Sequence, residues 1–251
     1  MDINVDMGEA FGAYPGGPDA EMLASATSAN VACGFHAGDP RTMAHTVALC
    51  RSLGRNVGAH PSYPDLVGFG RRAMAATPEE VRTDVLYQLG ALDAFCRAAG
   101  ARMRHVKGHG AIYNVAVKDA PTARAMAEAV AAFDRTLWFF ALPNTLLGEA
   151  GLAAGLRVAW EAFADRAVRR DGTLVPRGQA GAMITDPDVA AARAVRIARE
   201  GVVVPADGGE PIPWRADTIC VHSDTPGAPV IAAAVRQGLE AAGVLVQPLG
   251  E

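Results

Sequence analysis

Short apolar runs alternate with stretches of helical spacing along almost the whole chain. Strand-like runs lie at Ile3–Val5, Ala29–Cys33, Asn56–Ala59, Met103–Lys107, Thr136–Leu142, Leu156–Trp160 and Thr218–Val221. Between the third and fourth, residues 78–99 place Val81, Val85, Leu89, Leu92 and Cys96 near helical spacing. Four dipeptides predict helix starts: Asp39-Pro40, Thr77-Pro78, Asp186-Pro187 and Thr225-Pro226. Each puts a side chain able to cap a free N–H before a proline that has no N–H to lose. Thr77 with Glu80 also fits a capping box. Gly54, Gly100, Gly155 and Gly201 follow helical stretches, where glycine ends helices. Repeated β then α predicts parallel strands with right-handed crossovers, closed into a barrel or open and doubly wound. About seven such units with no Pro/Ser-rich linker favour a single α/β domain over residues 1–251, a (β/α) barrel. Val202–Arg215 breaks the rhythm and predicts a small β-hairpin insertion around Asp207-Gly208-Gly209.

Composition narrows the class. With 251 residues, 50% of them hydrophobic and 20% charged, the chain has the profile of a globular protein with a substantial core. The net charge of −4 and the lack of a basic block give nucleic acid or anionic membrane no electrostatic handle. Cys33, Cys50, Cys96 and Cys220 form no C-x-x-C pair, which argues against zinc ribbons and redox dithiols and for free thiols in a reducing compartment. The first residues carry acid where a signal peptide needs base, and the longest apolar run, Leu137–Pro143, is too short for a membrane span. A cytoplasmic protein is expected.

Parallel β/α folds collect function where strands end and loops begin. The unusual residues lie there: Asp6 and Glu9 after the first run, His36 and Asp39 after the second, His60 after the third. Lys107 and His109 follow the fourth, Glu161 the sixth, His222 and Asp224 the seventh. Asp39 reads first as a helix cap, and His45 and His105 as structural. The shared placement of the others predicts one site. Carboxylate, imidazole and ammonium suit work on a carbonyl: Asp or neutral His takes a proton, and Lys107 or His steadies oxyanion charge. An Asp with two His can instead hold a divalent metal that activates water, although neither H-x-x-H nor H-E-x-x-H is present. The sixteen residues Pro61–Ala76 make a long loop, suited to a lid or binding loop, with Arg71 and Arg72 able to pair with a carboxylate or phosphate. No G-x-x-x-x-G-K-[ST] occurs, so ATP chemistry needs another phosphate site or a partner.

At these same residues the sequence resembles a known family. NVDMGEAFGAY, SANVACGFHAGDP, VGAHPSYPDLVGFGRR, VLYQLGAL, VKGHGAIYN, EAFADRAV, DGTLVPR and ADTICVHSD look like the successive motifs of the LamB/YcsF family, collinear from Asp2 to about Gly243. The resemblance implies a seven-stranded barrel of the glycoside hydrolase/deacetylase type. It implies opening of the 5-oxoproline lactam to glutamate, coupled to ATP hydrolysis, with B and C partner subunits. A stand-alone metal-dependent amidohydrolase or deacetylase on the same barrel is the alternative. Asp6, His60, Lys107 and His109 are the candidate catalytic groups, and Asp6, His36 and His60 the candidate metal ligands. Glu9, His36, Arg71 and Arg72 are expected to bind substrate, together with Asn114, Glu161, His222 and Asp224. Three motifs depart from the family pattern: Gly108 stands where proline is usual, and NVDMGE and VHSD replace the commoner NCDLGE and VHGD. The ionisable residues survive all three changes, while Gly108 puts the aim of Lys107 and His109 in question.

Overall fold

The computed structural model describes residues 1–250. In chain order the elements are β1 (Asp2–Met7), α1 (Asp19–Ser25), β2 (Ser28–Ala32), α2 (Pro40–Ser52), β3 (Asn56–His60) and α3 (Pro78–Ala98). There follow β4 (Met103–Val106), α4 (Gly110–Ala116), α5 (Ala120–Phe133), β5 (Trp138–Ala141), α6 (Leu146–Ala153) and β6 (Arg157–Phe163). The chain continues with α7 (Pro187–Glu200), β7 (Val202–Val203), β8 (Ile212–Pro213), β9 (Thr218–Val221) and α8 (Ala228–Ala241). β1 to β6 and β9 close a seven-stranded barrel, every neighbouring pair parallel. This is the closed form of the two topologies that the alternation allows.

Side chains alternate across a strand, and here the alternation puts the polar set inside. In β1, Ile3, Val5 and Met7 belong to the large apolar core, while Asp2, Asn4 and Asp6 are equally buried. Asn4 donates to Thr218 Oγ1 of β9 at 2.8 Å and to Glu161 Oε1 of β6 at 3.1 Å. β1 and β6 are not neighbours, so that second bond crosses the lumen. The apolar layer therefore lies between barrel and helices, and the lumen is a hydrogen-bonded polar network. Polar groups withdrawn from water must find partners. His105 of β4 does so through Nε2 to Asn30 Oδ1 at 2.8 Å, with its ring stacked on Phe140. That leaves no room opposite: a Cβ on Gly58 would lie 2.1 Å from His105 Nε2, so glycine is required in β3.

Three of the four expected helix starts hold, with Asp39, Thr77 and Asp186 accepting N–H bonds from the first turns of α2, α3 and α7. The capping box of Thr77 and Glu80 is complete. The fourth start is displaced. α8 begins at Ala228 behind Gly227, because the Thr225 hydroxyl is drawn away to donate to buried Asp165 Oδ2 at 2.6 Å. Some strand ends also move: β4 stops at Val106, leaving Lys107 just beyond it, and β6 continues through Glu161 to Phe163.

β7 and β8 pair antiparallel within Val202–Arg215. This ribbon packs on a long excursion between β6 and α7. The excursion holds itself by bridges Arg166 to Met183 and Val168 to Leu174, and by a small apolar cluster of Ala167, Val175 and Ala182. The two segments join where Ala206 N–H donates to the Val168 carbonyl at 2.8 Å and Arg170 N–H to Asp207 Oδ1 at 2.9 Å.

Candidate active site

A cavity of about 370 Å³ opens at the end of the barrel where the strands finish. Asp6, His60, Lys107, His109 and His222 reach it from the ends of β1, β3, β4 and β9. Arg71 and the exposed Asn114 stand at its edge.

Lys107 lies at the floor, 2% exposed, and its ammonium faces four acceptors. Asp6 Oδ1 and Glu161 Oε1 are each 3.1 Å away, Asn4 Oδ1 is at 3.2 Å and Cys220 Sγ at 2.9 Å. Burial opposes the charge, but the two carboxylates and the thiol outweigh it and hold the ammonium well above its ordinary pKa. The same attraction works on Asp6: burial would raise its pKa, but the cluster around it, the Lys107 ammonium included, holds it well below the carboxylate range. Asp6 is thus an anion and Lys107 a cation in one buried cluster, with Asn30 Nδ2 donating to Asp6 Oδ1 at 2.9 Å. Glu161 is out of the cavity, behind Lys107, and accepts from Tyr113 OH at 2.8 Å. Gly108 keeps an ordinary backbone angle, and a Cβ there would crowd the flexible end of Met126, at 2.8 Å, and make ordinary contacts with Ile112 and Tyr113. Lys107 and His109 are aimed by backbone bonds, Lys107 N–H to the Ala59 carbonyl and His109 N–H to that of Pro61.

Four histidines gather, and hydrogen bonding fixes the tautomers of three. His60 Nδ1 lies 2.8 Å from the Lys107 carbonyl, and His109 Nε2 lies 2.8 Å from the Phe69 carbonyl. A carbonyl only accepts, so both of these nitrogens carry hydrogen. The opposite nitrogens, His60 Nε2 and His109 Nδ1, then present lone pairs to each other at 3.0 Å, with Asp6 Oδ1 3.3 Å from His60 Nε2. Burial, and then the neighbouring imidazoles, push the His109 pKa well below its usual value, which keeps its lone pair free. His36 stacks flat on His109 at 3.7 Å, its Nε2 3.2 Å from Glu9 Oε1 and its Nδ1 buried without a partner. Burial takes His36 down to about 3. Burial and the nearby Asp6 charge take Glu9 up to about 8, so its carboxyl is mostly protonated at neutral pH. The loop 61–76 covers this group: Gly70 has a left-handed φ of 65°, and a Cβ on it would sit 2.8 Å from the His109 ring and 2.9 Å from His36 Cβ.

His222 completes the set. Its Nδ1 is 3.0 and 3.1 Å from the two oxygens of Asp165, a carboxylate held below its ordinary pKa despite burial by His222 and Thr225. Nδ1 therefore carries hydrogen, and Nε2 turns its lone pair to the cavity, 4.0 Å from Asp6 Oδ2. An Asp–His pair of this form is a ready proton acceptor for water.

The structure brings Asp6, His60, Arg71, Lys107, His109, Asn114 and His222 to the cavity wall. Glu9, His36 and Glu161 stand one layer behind. Asp224 is clamped at the rim by Arg71 at 2.7 Å and Arg177 at 3.4 Å. Arg72 is directed elsewhere: its guanidinium binds Asp65, closing the turn inside loop 61–76. The expected ligand set of Asp6, His36 and His60 also changes. Among the described residues three donor groups converge, Asp6 with His60 and His109, Asp6 with Cys220 and His222, and Glu9 with His36 and His109, and none of them joins His36 to Asp6 and His60. Asp165, Arg166, Arg177 and Tyr113 escape a reading of strand ends. Tyr113 is on α4, and the others lie on the excursion after β6.

The chemistry of Asp6, His60 and His109 suits a divalent cation. Their ligand atoms lie within 4.8 Å of one another, and the two imidazoles face each other with lone pairs that a cation would satisfy.

Known proteins share this arrangement of sequence. The profile of the LamB/YcsF family matches residues 1–251. A protein of Symbiobacterium thermophilum, named as a subunit of 5-oxoprolinase, is 54% identical over 246 residues, covering 98% of this chain and 94% of that one. One of the same name from Thermus thermophilus is 53% identical, with 98% of each covered. The crystal structure of a lactam utilization protein, also from Thermus thermophilus, superposes with a TM-score of 0.94 at 51% identity, over 99% of both chains.

Proposed function

The chain belongs to the LamB/YcsF family, and from that premise we propose that it is the lactam-opening subunit of an ATP-dependent 5-oxoprolinase. Its substrate is 5-oxo-L-proline and its product L-glutamate. ATP is the cosubstrate, and B and C partner subunits handle it, since this chain has no P-loop sequence. Phosphorylation of the stable amide at its carbonyl oxygen, with release of ADP, would make the carbonyl carbon electrophilic enough for water to add. The protein acts in the cytoplasm, where ATP is supplied and four free thiols stay reduced.

One observation carries this reading: His222 Nε2 and the anion Asp6 share a cavity with two lone-pair imidazoles, all buried. His222 takes a proton from water, with Asp165 fixing its tautomer and steadying the imidazolium. The hydroxide adds to the phosphorylated carbonyl carbon, the carbon–nitrogen bond breaks, the ring nitrogen leaves with the proton returned by His222, and a second water hydrolyses the resulting acyl phosphate to glutamate and inorganic phosphate. Lys107 keeps Asp6 ionised and sets the positive potential of the floor. Asp6, His60 and His109 would hold a divalent ion, which when bound supplies charge to polarise a carbonyl oxygen or acidify water. Loop 61–76 excludes solvent from the imidazoles.

The convergent donors favour one second reading, a stand-alone metal-dependent amidohydrolase or deacetylase. Glutamate release from 5-oxoproline, assayed with and without ATP and with and without the B and C subunits, decides between them. Turnover that needs both ATP and partners supports the first reading. Turnover by the chain alone, without ATP and abolished by chelation, establishes the second.

A further inference from the structure

The cavity wall is more basic than lactam chemistry alone requires. Six cationic side chains line it, Arg71, Lys107, Lys118, Arg166, Arg169 and Arg177, against the single carboxylate of Asp6. Three of these charges are already answered by carboxylates, and a fourth meets a neutral amide oxygen. Lys107 is held by Asp6 and Glu161. Arg71 and Arg177 share Asp224, and Arg169 donates to Gln179 Oε1 at 2.9 Å.

Arg166 differs. It is 5% exposed, yet among the described residues no carboxylate lies within ion-pair distance of it. Its Nη2 donates to the Val175 carbonyl at 2.7 Å, and its Nε is buried with no partner. The adjacent Asp165 is no substitute, because its two oxygens are taken by His222 and Thr225. A buried guanidinium with spare donors is costly to leave so. Burial, and then Arg177, draw the Arg166 pKa down to about 10.

We propose that Arg166, with Arg177 beside it, forms an oxyanion subsite that receives the charged group of the substrate while the lactam carbonyl lies toward His222. The guanidinium fork matches a carboxylate or a phosphoryl group through paired N–H donors. Resting on the 5-oxoprolinase reading, the subsite distinguishes 5-oxoproline from lactams that lack a carboxylate. It also explains the excursion after β6, which carries both arginines to a cavity otherwise built from strand ends. Arg166 here is a binding residue, outside the proton-transfer machinery.

The test is titration calorimetry on the full chain with 5-oxoproline, with 2-pyrrolidinone, which is the same ring without the carboxylate, and with inorganic phosphate. Arg166→Met and Arg166→Lys are measured beside the unaltered protein, with melting temperatures as the folding control. The expected result is a loss of roughly 10- to 100-fold in 5-oxoproline affinity for Arg166→Met, the range of a charged hydrogen bond, with 2-pyrrolidinone unaffected. Arg166→Lys should retain part of the binding. A loss confined to phosphate assigns the subsite to a phosphoryl group. Phosphate binding that depends on Arg166, without any lactam binding, keeps the subsite and removes the 5-oxoproline reading. Unchanged affinity for every ligand in a natively folded variant overturns the subsite and leaves the 5-oxoprolinase reading to be decided by its own glutamate-release assay. Should both variants fail to fold, the arginine Nε–H signals of the unaltered chain decide: saturation with 5-oxoproline or phosphate must move one solvent-protected signal, and no movement overturns the proposal.

Discussion

His60 and His109 face each other at 3.0 Å through nitrogens that both carry lone pairs, because the opposite nitrogen of each ring is committed to a backbone carbonyl. Two lone pairs at that distance repel unless a proton or a cation lies between them. Asp6, 3.3 Å from His60, supplies the negative charge that either would need.

The first prediction separates those two occupants. Zn²⁺ or Mn²⁺ added to chelator-treated protein at about 100 times its Kd should raise the unfolding free energy by about 2.7 kcal/mol. His109→Ala should remove the effect. Metal content and thermal melts measure it without reference to activity. Stability indifferent to every divalent ion would mean that the pair shares a proton instead.

Lys107→Met should unfold more readily. It leaves the carboxylates of Asp6 and Glu161 buried in the lumen with no ammonium, and breaking such a cluster costs about 3–5 kcal/mol. Adding Glu161→Gln should recover part of the loss, since one orphaned charge goes with it. Denaturant titration of the single and double variants checks this. A single variant as stable as the parent would show that the lumen network does not depend on the ammonium.

Glu9 makes a pH prediction with a definite sign. Its carboxyl titrates at about 8 in the fold, against 4.5 for the free group. Between those values the folded state holds a proton that the unfolded chain has released, so this contribution is full below about pH 4.5. It is lost as pH rises through 8. Glu9→Gln mimics the protonated form beside His36 and Ser223. It should gain stability relative to the parent between pH 6 and 8.5, with the difference growing as pH rises. A pH-independent difference would place the Glu9 titration elsewhere.

His222→Asn and Asp165→Asn test the proton acceptor. Either change should lower turnover of the assembled enzyme by roughly 10²–10⁴-fold, the usual share of a positioned base, with KM nearly unaltered. Turnover within a few-fold of the parent in a folded His222→Asn would return the role to His60 or His109.

The chain's own pattern determined the parallel β/α units and the place of their chemistry. Seven apolar runs between helical stretches close into parallel strands because each strand buries one face against helices that follow it in sequence, a local relationship. Asp39, Thr77 and Asp186 cap helices for the same reason: a capping oxygen needs only an N–H two or three residues on. Strand-end placement also singled out Asp6, His60, Lys107, His109 and His222, which all reach one cavity. Tertiary structure alone decided the rest. Alternation in Asp2–Met7 says that polar and apolar faces exist, but only closure of the barrel turns the polar face to the lumen and sets Lys107 against Glu161, far away in sequence. Thr225 looks like a helix cap until Asp165 claims its hydroxyl, and Arg72 looks like an anion-binding residue until Asp65 does the same. Arg166 is one among the many arginines of the sequence until folding buries it beside the cavity and gives its Nε no partner. A side chain's charge is written in the sequence; whether that charge is answered depends on long-range neighbours that no local pattern specifies.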